Sequence, residues 1–142
     1  MHPSIAPRPP ARRGAASVEL AVLAPFLCFV FVLAVDYGRI FYFSLTLENC
    51  ARNGAVYASQ DAAHALDTAN ISRVSKLDFP SYLQDSSLNA SSTTDSTTNP
   101  TWVEVEVSYT FTTFTNYPGL PHTTTLTRKV RTQVVPATPN FP

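Results

Sequence analysis

Sixteen consecutive residues, Leu20 to Val35, carry no charge, and a basic segment stands before them. The run reads Leu20-Ala-Val-Leu-Ala-Pro-Phe-Leu-Cys-Phe-Val-Phe-Val-Leu-Ala-Val35 and is bounded by Glu19 and Asp36. As a helix it reaches only ~24 Å, short of the ~30 Å hydrocarbon core of a bilayer. Extended back to Ala15 it reaches ~32 Å, which is enough to cross, and Glu19 then sits at or inside the bilayer edge. A soluble core helix fits poorly, because such helices rarely lack a polar face for four turns. A cleaved secretory signal fits poorly too. No small-x-small site follows the apolar core, where Asp36, Tyr37, Gly38 and Arg39 stand instead.

The charge asymmetry orients the segment. Residues 1–14 hold Arg8, Arg12 and Arg13 and no acid, hence +3. The rest of the chain has seven Lys and Arg against ten Asp and Glu, hence −3. A basic head before an apolar run keeps the head in the cytoplasm and sends the C-terminal bulk outside. Pro25, inside the run, removes the hydrogen bond to the Ala21 carbonyl and should bend the helix. Membrane helices tolerate this where a neighbour covers the freed carbonyl, so Pro25 points to a packed partner helix.

The whole chain has 142 residues, 14% of them charged, and a net charge of zero. That suits one modest domain and argues against a nucleic-acid binder. His2, His64 and His122 lack ligand spacing, and neither a phosphate loop nor a nucleophile elbow appears. No enzymatic activity, cofactor or metal is expected. Cys28 and Cys50 are 22 residues apart, ~33 Å on one helix, so an intrachain disulfide would need that helix to fold back. Cys28 reads as a small apolar residue in lipid. Cys50 reads as buried and inert, with a free thiol or an interchain cross-link as alternatives.

The residues around Gly14 are more specific. Arg12-Arg13-Gly14-Ala15-Ala16-Ser17-Val18-Glu19-Leu20 places a glycine after a basic leader and a glutamate five residues beyond it. This resembles the processing site of type IV pilin-like proteins, in which a membrane prepilin peptidase cuts after the glycine. The resemblance implies cleavage between Gly14 and Ala15, leaving Glu19 as the fifth mature residue. Ala16-Ser-Val-Glu-Leu-Ala-Val-Leu-Ala-Pro25, then Asp36-Tyr-Gly-Arg39, resemble the start of TadE-like pilus-assembly proteins, minor pseudopilins of tight-adherence type IV pilus systems. Asn49-Cys-Ala-Arg-Asn-Gly-Ala-Val-Tyr-Ala58 is similar to a small-residue helical stretch further along in that family, with Asn53 as a departure between Arg52 and Gly54.

The resemblance implies an assembly role for Glu19, Pro25, Asp36 and Arg39. Glu19 has two readings. A carboxylate near a helix N-terminus is favoured by ~0.3–1 kcal/mol in any case. In lipid it needs a partner, which the freed N-terminal amine of a neighbouring subunit would supply. Asp36 and Arg39, three apart, can pair at the membrane exit.

Beyond the membrane, Ile40, Ser44, Leu47, Ala51, Gly54, Ala58, Ala62, Ala65 and Ala69 recur at steps of three or four, one face of a continuing helix. The small residues admit a close neighbour, expected to be this chain's own sheet. Residues 86–101 are low-complexity and polar and read as a loop. Asn70-Ile-Ser72 and Asn89-Ala-Ser91 fit the glycosylation triplet, a chance match in the bacterial chain that the resemblance implies. From Trp102 to Thr112 apolar residues alternate, with Val103, Val105, Val107, Tyr109 and Phe111 on one face. Leu126, Val130 and Val134 share a face of a second strand, and Asn116-Tyr-Pro-Gly-Leu-Pro-His122 between them is turn chemistry. The expected register pairs Val107 with Val130, Glu106 with Arg131 and Tyr109 with Arg128.

The expected fold is therefore α+β: a long N-terminal transmembrane helix continuing into an amphipathic helix packed on a small antiparallel sheet, as in type IV pilins. The organisation is a leader (1–14), a transmembrane helix (15–39), an extracytoplasmic helical region (40–85), a polar loop (86–101), a β-hairpin (102–135) and a tail (136–142). The implied function is assistance in pilus assembly from the bacterial inner membrane, with the N-terminus cytoplasmic, the C-terminal domain outside, and entry into the extracellular pilus after processing left open. Implied partners are prepilin peptidase, other pilins or pseudopilins, pilus-assembly membrane proteins and the lipid bilayer, with no nucleic acid. A single-pass, membrane-anchored adhesion or binding module outside pili is the alternative.

Overall fold

The computed structural model describes residues 13–84, 87–114 and 122–136. The leader before Arg13, the tail after Pro136 and the turn residues 116–121 lie outside them. Helix α1 runs Arg13–Ala58, α2 Ala62–Leu66 and α3 Thr68–Lys76; strands follow at β1 Leu88–Thr94, β2 Trp102–Thr112 and β3 Thr123–Gln133. The architecture is α+β with an antiparallel sheet of order β1-β2-β3. The chain divides into two units, Met1–Tyr37 and Gly38–Pro142.

In the first unit α1 is apolar and long enough to cross a membrane, and its most apolar stretch is not buried. Val18, Leu20, Val22, Phe26 and Phe31 are all exposed. Unburied apolar side chains at this density are what a helix meant for lipid presents. The helix continues through Pro25.

The second unit holds the core. Residues 38–58 of α1 lie along the inner face of the sheet. Phe43 packs against Tyr109 and Phe111, with ring centroids at 5.3 and 5.7 Å, and against Phe79 at 6.0 Å. At the other end the Val135 N–H donates to the Ser59 carbonyl at 2.9 Å. The expected β2 face is buried as a set: Val103, Val105, Val107, Tyr109 and Phe111. Leu47, Cys50, Ala51, Ala55 and Ala58 meet it.

The small-residue stripe thus serves the chain's own core. At Gly54 an added Cβ would stand 2.0 Å from Ser75 Oγ and 3.0 Å from Val105 Cγ1. Glycine is what lets α1, α3 and β2 meet at this point.

Three expectations need correction. The helix does not continue through residue 69. It stops at Ala58 and restarts twice, because Asp61 accepts the His64 N–H at 2.8 Å and Asp67 accepts the Asn70 N–H at 3.1 Å. Each aspartate caps a new helix and turns the chain.

Residues 86–101 are not all loop. Leu88–Thr94 form the edge strand β1, with Leu88 opposite Tyr109, Ala90 opposite Val107 and Ser92 opposite Val105. Small Ser, Thr and Ala fit beneath α3, where Ile71 and Ser75 are fully buried. Residues 95–101 form a turn closed by Asp95, which accepts from the Thr101 hydroxyl and from the Thr101 and Trp102 N–H groups.

The hairpin register is two residues from the expected one: Val105 faces Val130, Val107 faces Arg128, and Tyr109 faces Leu126. This register matches two apolar pairs and places two opposite-charge pairs across the outer face, Glu104 with Arg131 and Glu106 with Lys129. Lys129 Nζ is 2.7 Å from Glu106 and 3.9 Å from Glu104, while the Arg131 guanidinium lies 3.8 Å from the Trp102 ring centroid. The inward Arg128 reaches α1 and donates to Ser44 Oγ at 2.6 Å. The face assignment was right and the slip was even, as side-chain phase requires.

Candidate functional site

Gly14, Ala15, Glu19 and Pro25 all lie on α1 in the first unit, with Asp36. From Gly14 to Asp36 is 22 residues, ~33 Å of helix, so these residues line one element rather than ring a cleft. Gly14 and Ala15 sit in the first turn and are exposed. A Cβ at Gly14 would meet nothing within 4 Å among the described residues. Packing among the described residues therefore gives no reason for glycine here, in contrast to Gly54.

Glu19 is exposed and shares a shallow surface with Val18, Val22 and Leu23. The residues that share this surface with it are hydrocarbon. Asp36 is only 4% exposed.

Arg39 belongs to the second unit. Its guanidinium lies 4.8 Å from the Phe111 ring centroid and 4.0 Å from that of Phe114. Sequence reasoning missed this pairing. Phe114 stands beyond the alternating strand and shares no periodicity with α1, so no local pattern joins the two.

The motif around Arg52 splits by face. Arg52 is exposed and meets Glu48 at 3.3 Å, while Cys50, Ala51, Gly54 and Ala55 are buried. The Cys50 thiol is pushed up to about 11 by burial and by the Asp78 carboxylate. It stays protonated at neutral pH and is a poor nucleophile. Both cysteines are free. Among the described residues no group of three His, Cys, Asp or Glu could hold a metal ion. A shallow groove of about 320 Å³ between α1 and α3 is lined by Asn53, Val56, Tyr57, Gln60, Val74, Leu77 and Asp78.

These positions coincide with a family match. Residues 14–56 match the model of the TadE-like protein family. The match covers 43 of the 142 residues. The match begins at Gly14, spans the apolar helix, and ends within the buried small-residue face around Gly54. The chain matches no curated protein and no solved structure.

Proposed function

We propose that the chain is a membrane-anchored, pseudopilin-like subunit that assists assembly of a tight-adherence type IV pilus and is processed after Gly14. The observation that carries this reading is the TadE-like match opening on a glycine whose Cβ position meets nothing among the described residues. Exposed at the head of α1, Gly14 lets a peptidase bind the backbone there without a side chain in the way.

The role is structural rather than enzymatic. The apolar part of α1 stores the subunit in the inner membrane, leader inside and sheet domain outside. Cleavage frees an amine at Ala15. Glu19 of a neighbouring subunit pairs with that amine, so that two charges unfavourable in lipid neutralise each other. The Pro25 region, with its interrupted hydrogen bonding, packs against a pilin helix.

A strain lacking the chain tests this. Wild-type protein should restore surface pili, while Gly14→Leu should insert in the membrane and fail to restore them. Full restoration by Gly14→Leu would refute the processing role.

A further inference from the structure

We infer that the outer edge of β3 takes an extended, acidic strand from a partner protein, which joins the sheet as a further strand. The inference rests on the second unit alone and stands whether or not the leader is removed.

Two backbone bonds fix which way the groups of β3 point. The Thr113 N–H donates to the His122 carbonyl at 3.1 Å, and the Val134 N–H to the Thr101 carbonyl at 3.0 Å. Both pairs continue the β2–β3 register. Antiparallel ladders alternate hydrogen-bonded and non-hydrogen-bonded pairs. The residues of β3 bonded to β2 are therefore the even-numbered ones, Thr124 to Thr132. The N–H and C=O groups of Thr123, Thr125, Thr127, Lys129, Arg131 and Gln133 turn away from β2. β3 ends the sheet order, so no described strand meets them. The strand is eleven residues long, contains no proline, and most of its side chains are exposed. On its inner face Leu126 and Val130 are only partly buried.

An edge of this length is a template for another strand, and its charge selects which. Arg128, Lys129 and Arg131 face Glu104 and Glu106 on β2, and both glutamates reach Lys129. Arg131 stacks on Trp102 instead. Arg128 donates to Ser44 Oγ and, at 2.9 Å, to the Thr127 carbonyl. Neither guanidinium has a carboxylate partner among the described residues. Arg128 thus covers an outward carbonyl with a cation, which guards the edge against neutral strands. A second copy of β3 would bring its own Arg128, Lys129 and Arg131 to the same edge, where like charges repel. An acidic strand meets both guanidiniums with carboxylates, and its N–H takes the Thr127 carbonyl from Arg128. Its alternate apolar residues fall on the inner face and extend the row of Leu126 and Val130.

The single tryptophan, Trp102, lies against Arg131 and reports on this edge. Full-length protein in detergent micelles is titrated with the acetylated, amidated peptide Thr-Val-Glu-Val-Glu-Val-Thr, and with the same peptide carrying lysine for glutamate. The glutamate peptide should change Trp102 emission saturably. It should shift the amide resonances of Thr127, Lys129 and Arg131 more than those of Arg128 and Val130. The lysine peptide should do neither. Thr127→Pro removes an outward N–H and no ladder bond, so circular dichroism should hold while the peptide binds about tenfold more weakly. If that variant unfolds, the wild-type amide pattern decides alone. Binding of neither peptide, equal binding of both, or equal shifts at odd and even positions would overturn the inference. A chain that is already dimeric without peptide, and monomeric as Thr127→Pro, would give the edge to a second copy and overturn it too.

Discussion

Gly54 and Gly14 are the two residues where identity matters most, for opposite reasons. At Gly54 a side chain collides with Ser75 and Val105. Overpacking costs about 1–3 kcal/mol, and a valine there gains little in helix propensity over glycine. Gly54→Val should therefore lower the melting temperature of the second unit by several degrees, read by far-UV circular dichroism in detergent. An unchanged Tm would mean that α1 and α3 do not meet as described. At Gly14 substitution should leave the Tm alone and change processing. Cys50 gives a third residue-scale outcome. With its thiol held protonated and fully buried, maleimide at pH 7.5 should modify it only after denaturation, and rapid labelling of the folded chain would contradict the core assignment. Glu19→Ala should impair pilus formation more than insertion, since losing an intramembrane carboxylate eases insertion by up to ~3 kcal/mol. Piliation at wild-type level would leave Glu19 only its favourable place near a helix N-terminus.

Elements were legible in proportion to how much apolar side chain they spend. The α1 run and the β2 face could be read because each buries, or offers to lipid, a periodic set of large apolar residues. Strand β1 could not, because its inner face is Leu88, Ala90, Ser92 and Thr94, and small polar residues alternate without showing it. The breaks after Ala58 and Leu66 were hidden by alanines that keep helical spacing through them, although Asp61 and Asp67 are ordinary cap residues. These caps make a pH prediction. A hydrogen bond from the His64 N–H holds the Asp61 carboxyl below its usual range, and the Asn70 side-chain amide does the same for Asp67. The Thr101 hydroxyl acts likewise on Asp95. A depressed folded pKa contributes stability above the unfolded value of about 3.9, lost as pH falls through the folded value. The Lys129 ammonium is raised by its bond to Glu106, so its contribution holds below about 10.4 and fades as pH rises beyond it. The Tm should be flat near neutrality and fall below about pH 4. Asp61→Asn with Asp67→Asn should start lower and show a shallower acid slope; an acid slope identical to wild type would contradict the capping account.

For the whole molecule, the sequence carried the class of fold and the segment now matched as TadE-like, since both live in contiguous patterns. It did not carry the hairpin register, where weighing a single charge pair favoured the wrong even slip. Nor did it carry the contact between Arg39 and Phe114, which only tertiary folding brings together. The function rests on one claim, that the basic leader is removed after Gly14. Everything proposed for Glu19 depends on it, because the amine it would meet exists only after cleavage. N-terminal sequencing of the protein purified from membranes of its own host, with prepilin peptidase present, addresses the claim directly. The account predicts a chain beginning Ala15-Ala16-Ser17-Val18-Glu19 when the peptidase is present and an intact leader when it is deleted. A chain that keeps residues 1–14 in both strains would contradict the pseudopilin reading and leave a membrane-anchored binding module.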